Sequence, residues 1–232
     1  MTQRLVLLPG MHGNGKLFSE FISMMPEPKH LEALYYPADV RLSYDQLLEL
    51  VQSFVPESDP YFLLAESFST PLAIQFASTN PQNLKGLILC AGFAASPVAG
   101  ARRFLVALLA PMLFRLPISW IALEYFFIGP NASQSLKQSV RAAVSSVRPH
   151  VLSARLRAVL ACDVRTDLSK IAVPILYIRA TRDRLVHRNC MEEIQAILPQ
   201  TAVVEVDGPH LVLQREPKRS AEIVARFMDE SL

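Results

Sequence analysis

Short apolar runs alternate along this chain with segments whose apolar positions recur every three or four residues. Arg4 to Leu8 is an apolar run closed by Pro9-Gly10, as expected of a buried strand. Leu31 to Tyr36 (ended by Pro37), Tyr61 to Ala65, Leu84 to Ala91, Val173 to Ala180 and Ala202 to Val206 read the same way. Helical spacing falls between them, in Lys16 to Met25, Ser43 to Val55, Thr70 to Ser78, Asn189 to Leu198 and Pro217 to Met228. Ser43 and Gln46 have the spacing of a capping box, and Pro71 sits in a first turn, where its missing N–H costs little. The alternation predicts an α/β fold, a mostly parallel sheet of about six strands with helices on both faces.

The rhythm breaks between Ala94 and Arg165, where helical patterns and prolines occur without a strand. The expected organisation is a core formed by 1–93 and 166–232, with 94–165 as a helical insertion. The longest apolar region, Phe104 to Ile128, is interrupted by Pro111, Arg115, Pro117 and Glu124. It falls short of the roughly 20 consecutive apolar residues of a membrane span.

Composition narrows the function classes. Of 232 residues, 51% are apolar and 19% charged, which fits one packed domain rather than a disordered chain. A net charge of +2 makes no whole-chain case for nucleic-acid binding. The insertion differs, with nine Lys or Arg against two acids. Within it Arg141, Arg148 and Arg155 are seven apart, a spacing that aligns them on one helical face unless Pro149 interrupts it. They are the candidate basic docking patch, for an acidic partner or anionic lipid, with an ordinary solvated surface as the plain alternative. Cys90, Cys162 and Cys190 lie far apart with no CxxC, which argues for buried thiols in a reducing compartment and against a zinc site. The short apolar run at the N-terminus lacks the pattern of a signal peptide, so a cytoplasmic location is expected. Gly13-Asn14-Gly15 follows a strand without completing a nucleotide-binding motif.

In a parallel sheet the chemistry sits beyond the carboxyl ends of the strands. Ala65-Glu66-Ser67-Phe68-Ser69 follows the third strand and precedes a helix, with small residues two positions to either side of Ser67. A nucleophile on so tight a turn needs small flanks, usually glycine. A serine near a helix N-cap is the plain alternative. Ser67 would need a base, and His210 stands past the last strand in Val206-Asp207-Gly208-Pro209-His210; His12 and His187 are rivals near other strand ends. The base needs an acid, and Asp183 follows the fifth strand, with Asp163 and Asp207 as alternatives. Backbone N–H groups of Phe68, next to the nucleophile, and Met11, after the first strand, are the candidate oxyanion donors.

These residues occur in the order Ser, Asp, His, each beyond its own strand, and on them the chain resembles the α/β-hydrolase superfamily. LLPGMHGNGKLF resembles its oxyanion loop, FLLAESFSTPLAIQFA its nucleophile elbow, PILYIRATRDRLV its acid loop and VEVDGPHLVLQ its histidine loop. Both elbow glycines are replaced, by Ala65 and Ser69, and His12 stands where relatives more often carry Asp. The resemblance implies ester or thioester hydrolysis through an acyl-enzyme on Ser67, with no metal or organic cofactor. It identifies the insertion as a cap whose apolar segments, 104–114 and 118–128, cover an acyl pocket. His12, Trp120, Tyr125, Phe126 and Phe127 are candidate pocket residues. The basic cap is similar to that of pimeloyl-acyl-carrier-protein methyl ester esterases. An acyltransferase and a non-catalytic binder on the same fold are the other readings.

Overall fold

The structure is a computed structural model that describes residues 3–26, 29–98, 100–115 and 119–231; Pro117 and Ile118 of the apolar insertion lie outside them. Six strands, β1 (Gln3–Leu8), β2 (Lys29–Ala33), β3 (Tyr61–Glu66), β4 (Leu84–Cys90), β5 (Ile175–Ala180) and β6 (Ala202–Val206), form one sheet in the order β2-β1-β3-β4-β5-β6. Every neighbouring pair is parallel. The second strand ends earlier than its apolar run. Leu34 still donates to the Leu7 carbonyl, but Tyr36 turns to bond the Gly13 carbonyl at 3.0 Å and leaves the ladder.

Alternation along each strand splits the core in two. Val6, Leu8, Leu63, Ala65, Leu87, Leu89 and Tyr177 point to one face. They pack there against helices α2 (Tyr44–Phe54), α3 (Thr70–Ala77) and α9 (Arg188–Ile197), through Leu47, Leu72 and Ile194. Leu5, Leu7, Phe62, Leu64, Ile88 and Ile178 point to the other, onto Phe21 of α1 (Ser19–Ser23) and Val224 and Met228 of α11 (Pro217–Glu230). Burial on both faces is why the central strands read as continuous apolar runs. The capping box on α2 is present: Ser43 Oγ accepts from Gln46 N–H, and Gln46 Oε1 accepts from Ser43 N–H.

Between β4 and β5 the chain runs through α4 (Arg102–Leu113), α5 (Trp120–Leu123), a π-helical turn (Glu124–Ile128), α6 (Gln134–Ser145), α7 (Pro149–Ala161) and α8 (Arg165–Leu168). The two ends of this stretch meet. Ala95 and Asp163 form an antiparallel bridge, Ser96 N–H donates to Cys162 at 3.0 Å, and Val164 N–H donates to Ala94 at 2.7 Å. On α4 the small residues Ala107 and Ala110 turn inward, whereas Phe104, Leu105, Leu108, Leu109, Met112 and Leu113 are exposed. The expectation that 104–114 covers a pocket is corrected: the bulky face of this segment points to solvent. Among the described residues no helix is long and apolar enough to cross a membrane.

The remaining short helix, α10 (Val212–Arg215), follows the last strand and precedes α11. Successive connections step outward from β1 to β2 and then back across β1 to β3, so the carboxyl ends of β1 and β3 flank a crevice. Such switch points are where α/β sheets hold their sites.

Candidate active site

Ser67 begins a short 3-10 turn between β3 and α3 with φ of 50°, the left-handed region that a non-glycine residue adopts at a cost of about 1–3 kcal/mol. The strain points its hydroxyl out of the sheet. The small flanks are buried, and Ser69 adds something glycine could not: its Oγ donates to the Pro9 carbonyl at 2.5 Å and accepts from Tyr36 at 2.6 Å. The elbow is thereby tied to the end of β1.

His210 Nε2 lies 2.8 Å from Ser67 Oγ, and His210 Nδ1 lies 2.7 Å from Asp183 Oδ2. Asp183 Oδ1 accepts from the Leu185 and Val186 N–H groups at 2.8 and 3.0 Å, which aims its second oxygen at the imidazole. Burial alone would push Asp183 up, but His210 and those two amides hold it below the usual carboxylate range. Burial would likewise lower His210. The charge and hydrogen bond of Asp183, with help from Glu66, outweigh it and raise the imidazole above its ordinary value. The rivals fall elsewhere. Asp163 pairs with Arg165, Asp207 is exposed and pairs with Arg182, and His187 is exposed at the start of α9.

The two candidate oxyanion peptides are fixed from behind. A trans peptide sets its N–H opposite its C=O. Gly13 N–H holds the Gly10 carbonyl at 2.8 Å and so orients the Met11 N–H. Thr70, through its N–H and its Oγ1 at 2.8 Å, holds the Ser67 carbonyl and so orients the Phe68 N–H. The Phe68 ring stacks on Tyr44 at 5.1 Å.

Of the candidate pocket residues, His12 is buried beside the crevice. Its Nδ1 accepts from Asn14 N–H at 3.0 Å, so Nε2 carries the proton and faces Glu66 Oε2 at 4.0 Å. Burial, Arg155 and His210 lower His12 to about 3, so the contact is not an ion pair near neutrality. Trp120 packs half-buried against the cluster of Leu17, Ile128 and Leu136. Tyr125 and Phe126 are corrected: both are exposed, and Tyr125 lies under the Arg184 guanidinium at 3.7 Å, a surface contact. Phe127 does reach the site, edge-on to the His210 ring at 5.7 Å.

The basic patch is also corrected. Arg141 on α6 and Arg148 at the start of α7 are exposed, but on separate helices. Arg155 is 3% exposed, with its guanidinium donating to the Met11 and Pro37 carbonyls, each at 2.8 Å. It is an internal strut, because two carbonyls and the Tyr36 ring replace the water a surface arginine would keep. Glu66 is a site residue that sequence reasoning misses. Buried against Gln214 and the Gly10 backbone, its carboxyl is raised by desolvation to about 7. Among the described residues no group of His, Cys, Asp and Glu is arranged to hold a metal ion.

Comparison with known proteins agrees with this architecture. The family model Hydrolase_4, serine aminopeptidase S33, matches residues 36–207. A pimeloyl-[acyl-carrier protein] methyl ester esterase of Aliivibrio salmonicida (strain LFI1238) is 26% identical over 217 residues, covering 86% of this chain and 82% of that protein. A hydrolase from Pseudomonas aeruginosa PA01 superposes with TM-score 0.82 at 18% identity, over 98% of this chain and 90% of its own. An enol-lactonase from Burkholderia xenovorans LB400 gives TM-score 0.82 at 15% identity, over 99% and 92%. The chain belongs to the Hydrolase_4, serine aminopeptidase S33, family, and its fold is that of the α/β-hydrolases.

Proposed function

We propose that this protein cleaves carboxylic esters or thioesters through an acyl-enzyme on Ser67. The observation that carries the reading is the unbroken chain Ser67 Oγ, His210, Asp183 at 2.8 and 2.7 Å. His210 takes the hydroxyl proton as Ser67 attacks the acyl carbonyl, while Asp183 holds the imidazole tautomer and stabilises the imidazolium. The Met11 and Phe68 N–H groups receive the oxyanion, each worth roughly 100- to 1,000-fold in rate. His210 then protonates the leaving group and activates water for deacylation. Residues 94–165 act as the cap and 1–93 with 166–232 as the core, a division favoured by the bridge that joins Ala95 to Asp163. The three buried, unpaired cysteines fit a reducing, cytoplasmic setting.

A second reading, an acyl ester carried on an acidic carrier protein, draws on the substrate named for the Aliivibrio relative and on the exposed Arg141 and Arg148. Fluorophosphonate labelling together with a panel of esters and thioesters of graded length tests the main reading. Labelling is expected on wild type and lost in Ser67→Ala. A Ser67→Ala variant that hydrolyses a p-nitrophenyl ester at the wild-type rate would overturn it.

A further inference from the structure

Helix α4 carries its largest side chains on the wrong side for a soluble monomer. Phe104, Leu108 and Met112 are 66%, 72% and 61% exposed, and Leu105, Leu109 and Leu113 extend the same face. The opposite face packs on α7 with small residues, helped by Arg157 Nε bonding the Ala107 carbonyl at 3.1 Å. Soluble monomers seldom expose contiguous apolar patches beyond a few hundred Å².

Basic residues frame this face. Arg102 and Arg103 begin the helix and Arg115 follows it, and no acid occurs in the sequence between Glu66 and Glu124. A cavity of about 350 Å³ opens at the C-terminal end of α4, where Pro111 and Arg115 form part of its wall. Arg41, Ser43, His150, Ser153 and Arg157 supply the other polar side chains of its wall, and among the described residues no carboxylate lines it. Among the described residues Arg41, Arg115 and Arg157 have no ion-pair partner.

We propose that α4 seats this protein on an anionic lipid surface, its apolar face entering the acyl layer and the cavity of Arg41, Arg115 and Arg157 taking a headgroup phosphate. An apolar helical face with arginines at its margins is the pattern of an interfacial helix. Each arginine held near an anionic leaflet adds attraction that salt screens. A second copy of the chain is disfavoured as the occupant, because pairing two such faces brings like-charged margins together. An acidic protein would meet the arginines but has no need of six bulky apolar side chains.

Vesicle co-sedimentation tests the proposal and does not depend on catalysis. Wild type is expected to bind mixed phosphatidylglycerol and phosphatidylcholine vesicles at low salt, and about tenfold less tightly to phosphatidylcholine alone or at high salt. Leu108→Gln with Met112→Gln is expected to lose binding at least about tenfold, with the thermal midpoint unchanged. Arg41→Glu with Arg115→Glu is expected to reduce binding only to the anionic vesicles. The proposal is overturned if wild type stays in the supernatant, or if the glutamine pair binds as wild type does. It is equally overturned if wild type is a dimer that the glutamine pair dissociates, which would make a second copy the occupant. Binding of an acidic acyl carrier protein, but not of vesicles, lost in the same variants would overturn it in favour of that partner.

Discussion

Arg155 Nη1 donates to the Met11 carbonyl over 2.8 Å, although the two residues stand 144 positions apart. The same guanidinium holds the Pro37 carbonyl, and a Cβ added at Gly13 would sit 2.7 Å from it. One side chain of the inserted segment therefore braces the loop that carries Met11, the proposed oxyanion donor. Arg155→Ala strips a charged donor from two buried carbonyls, each bond worth about 1.5–3 kcal/mol. We expect urea unfolding to show a loss on the order of 3 kcal/mol. Steady-state kinetics on a short ester should show kcat down roughly 10- to 100-fold with KM little changed, short of the full value of an oxyanion donor. Arg155→Lys should fall between.

Ser69 occupies a position where glycine is usual, and its hydroxyl is bonded on two sides. Ser69→Gly restores the common residue yet leaves the Pro9 carbonyl and the Tyr36 hydroxyl without their partner. We expect it to destabilise the fold by about 1–3 kcal/mol and to lower kcat/KM, measured by urea unfolding and ester hydrolysis. A neutral or improved variant would show that the bridge is dispensable.

The opposite sign is expected two residues earlier. Ser67 is held at φ of 50°, which glycine adopts freely. Ser67→Gly should abolish hydrolysis while raising unfolding stability by about 1 kcal/mol, the trade expected where strain serves position.

Much of this was legible from residue order. Strands buried on both faces announce themselves as apolar runs, and the Ser43 cap and the Ser67 turn are local, needing only neighbours in sequence. What was not legible depends on contacts distant along the chain. Arg155 looked like one step of a surface stripe because spacing carries no information about a carbonyl more than a hundred residues away. Tyr125 and Phe126 read as pocket residues by type, but the π-helical turn that carries them sends Phe127 inward in their place. Glu66 was invisible as a site residue because a carboxylate's default is exposure, and only the closing of Gln214 over it removes the water.

That burial makes a pH prediction. Glu66 is raised to about 7, so its neutral form is the one the fold favours. Its contribution is fully present below the unfolded carboxylate range and is lost as pH rises towards about 7. Glu66→Gln removes the ionisation, so its stability relative to wild type should grow between pH 4 and 8, by up to about 3 kcal/mol. The carboxylate also helps to raise His210. The acid limb of kcat/KM, which marks loss of the His210 proton, should therefore lie above the ordinary histidine value in wild type and move to lower pH in the variant. Thermal melts across pH and a pH–rate profile check both.

The bridge between Ala95 and Asp163 has a consequence for how such a protein can change. A segment that departs and rejoins at one spot adds little closure entropy however long it is. Any replacement cassette whose ends meet at the same spacing can be grafted there without re-registering a strand. Such a cassette has still to supply a cationic donor for the carbonyls that Arg155 holds, a ring beside His210 in place of Phe127, and apolar cover for Leu17 and Leu211. Within those terms selectivity can be rewritten while the proposed hydrolytic apparatus beneath is kept.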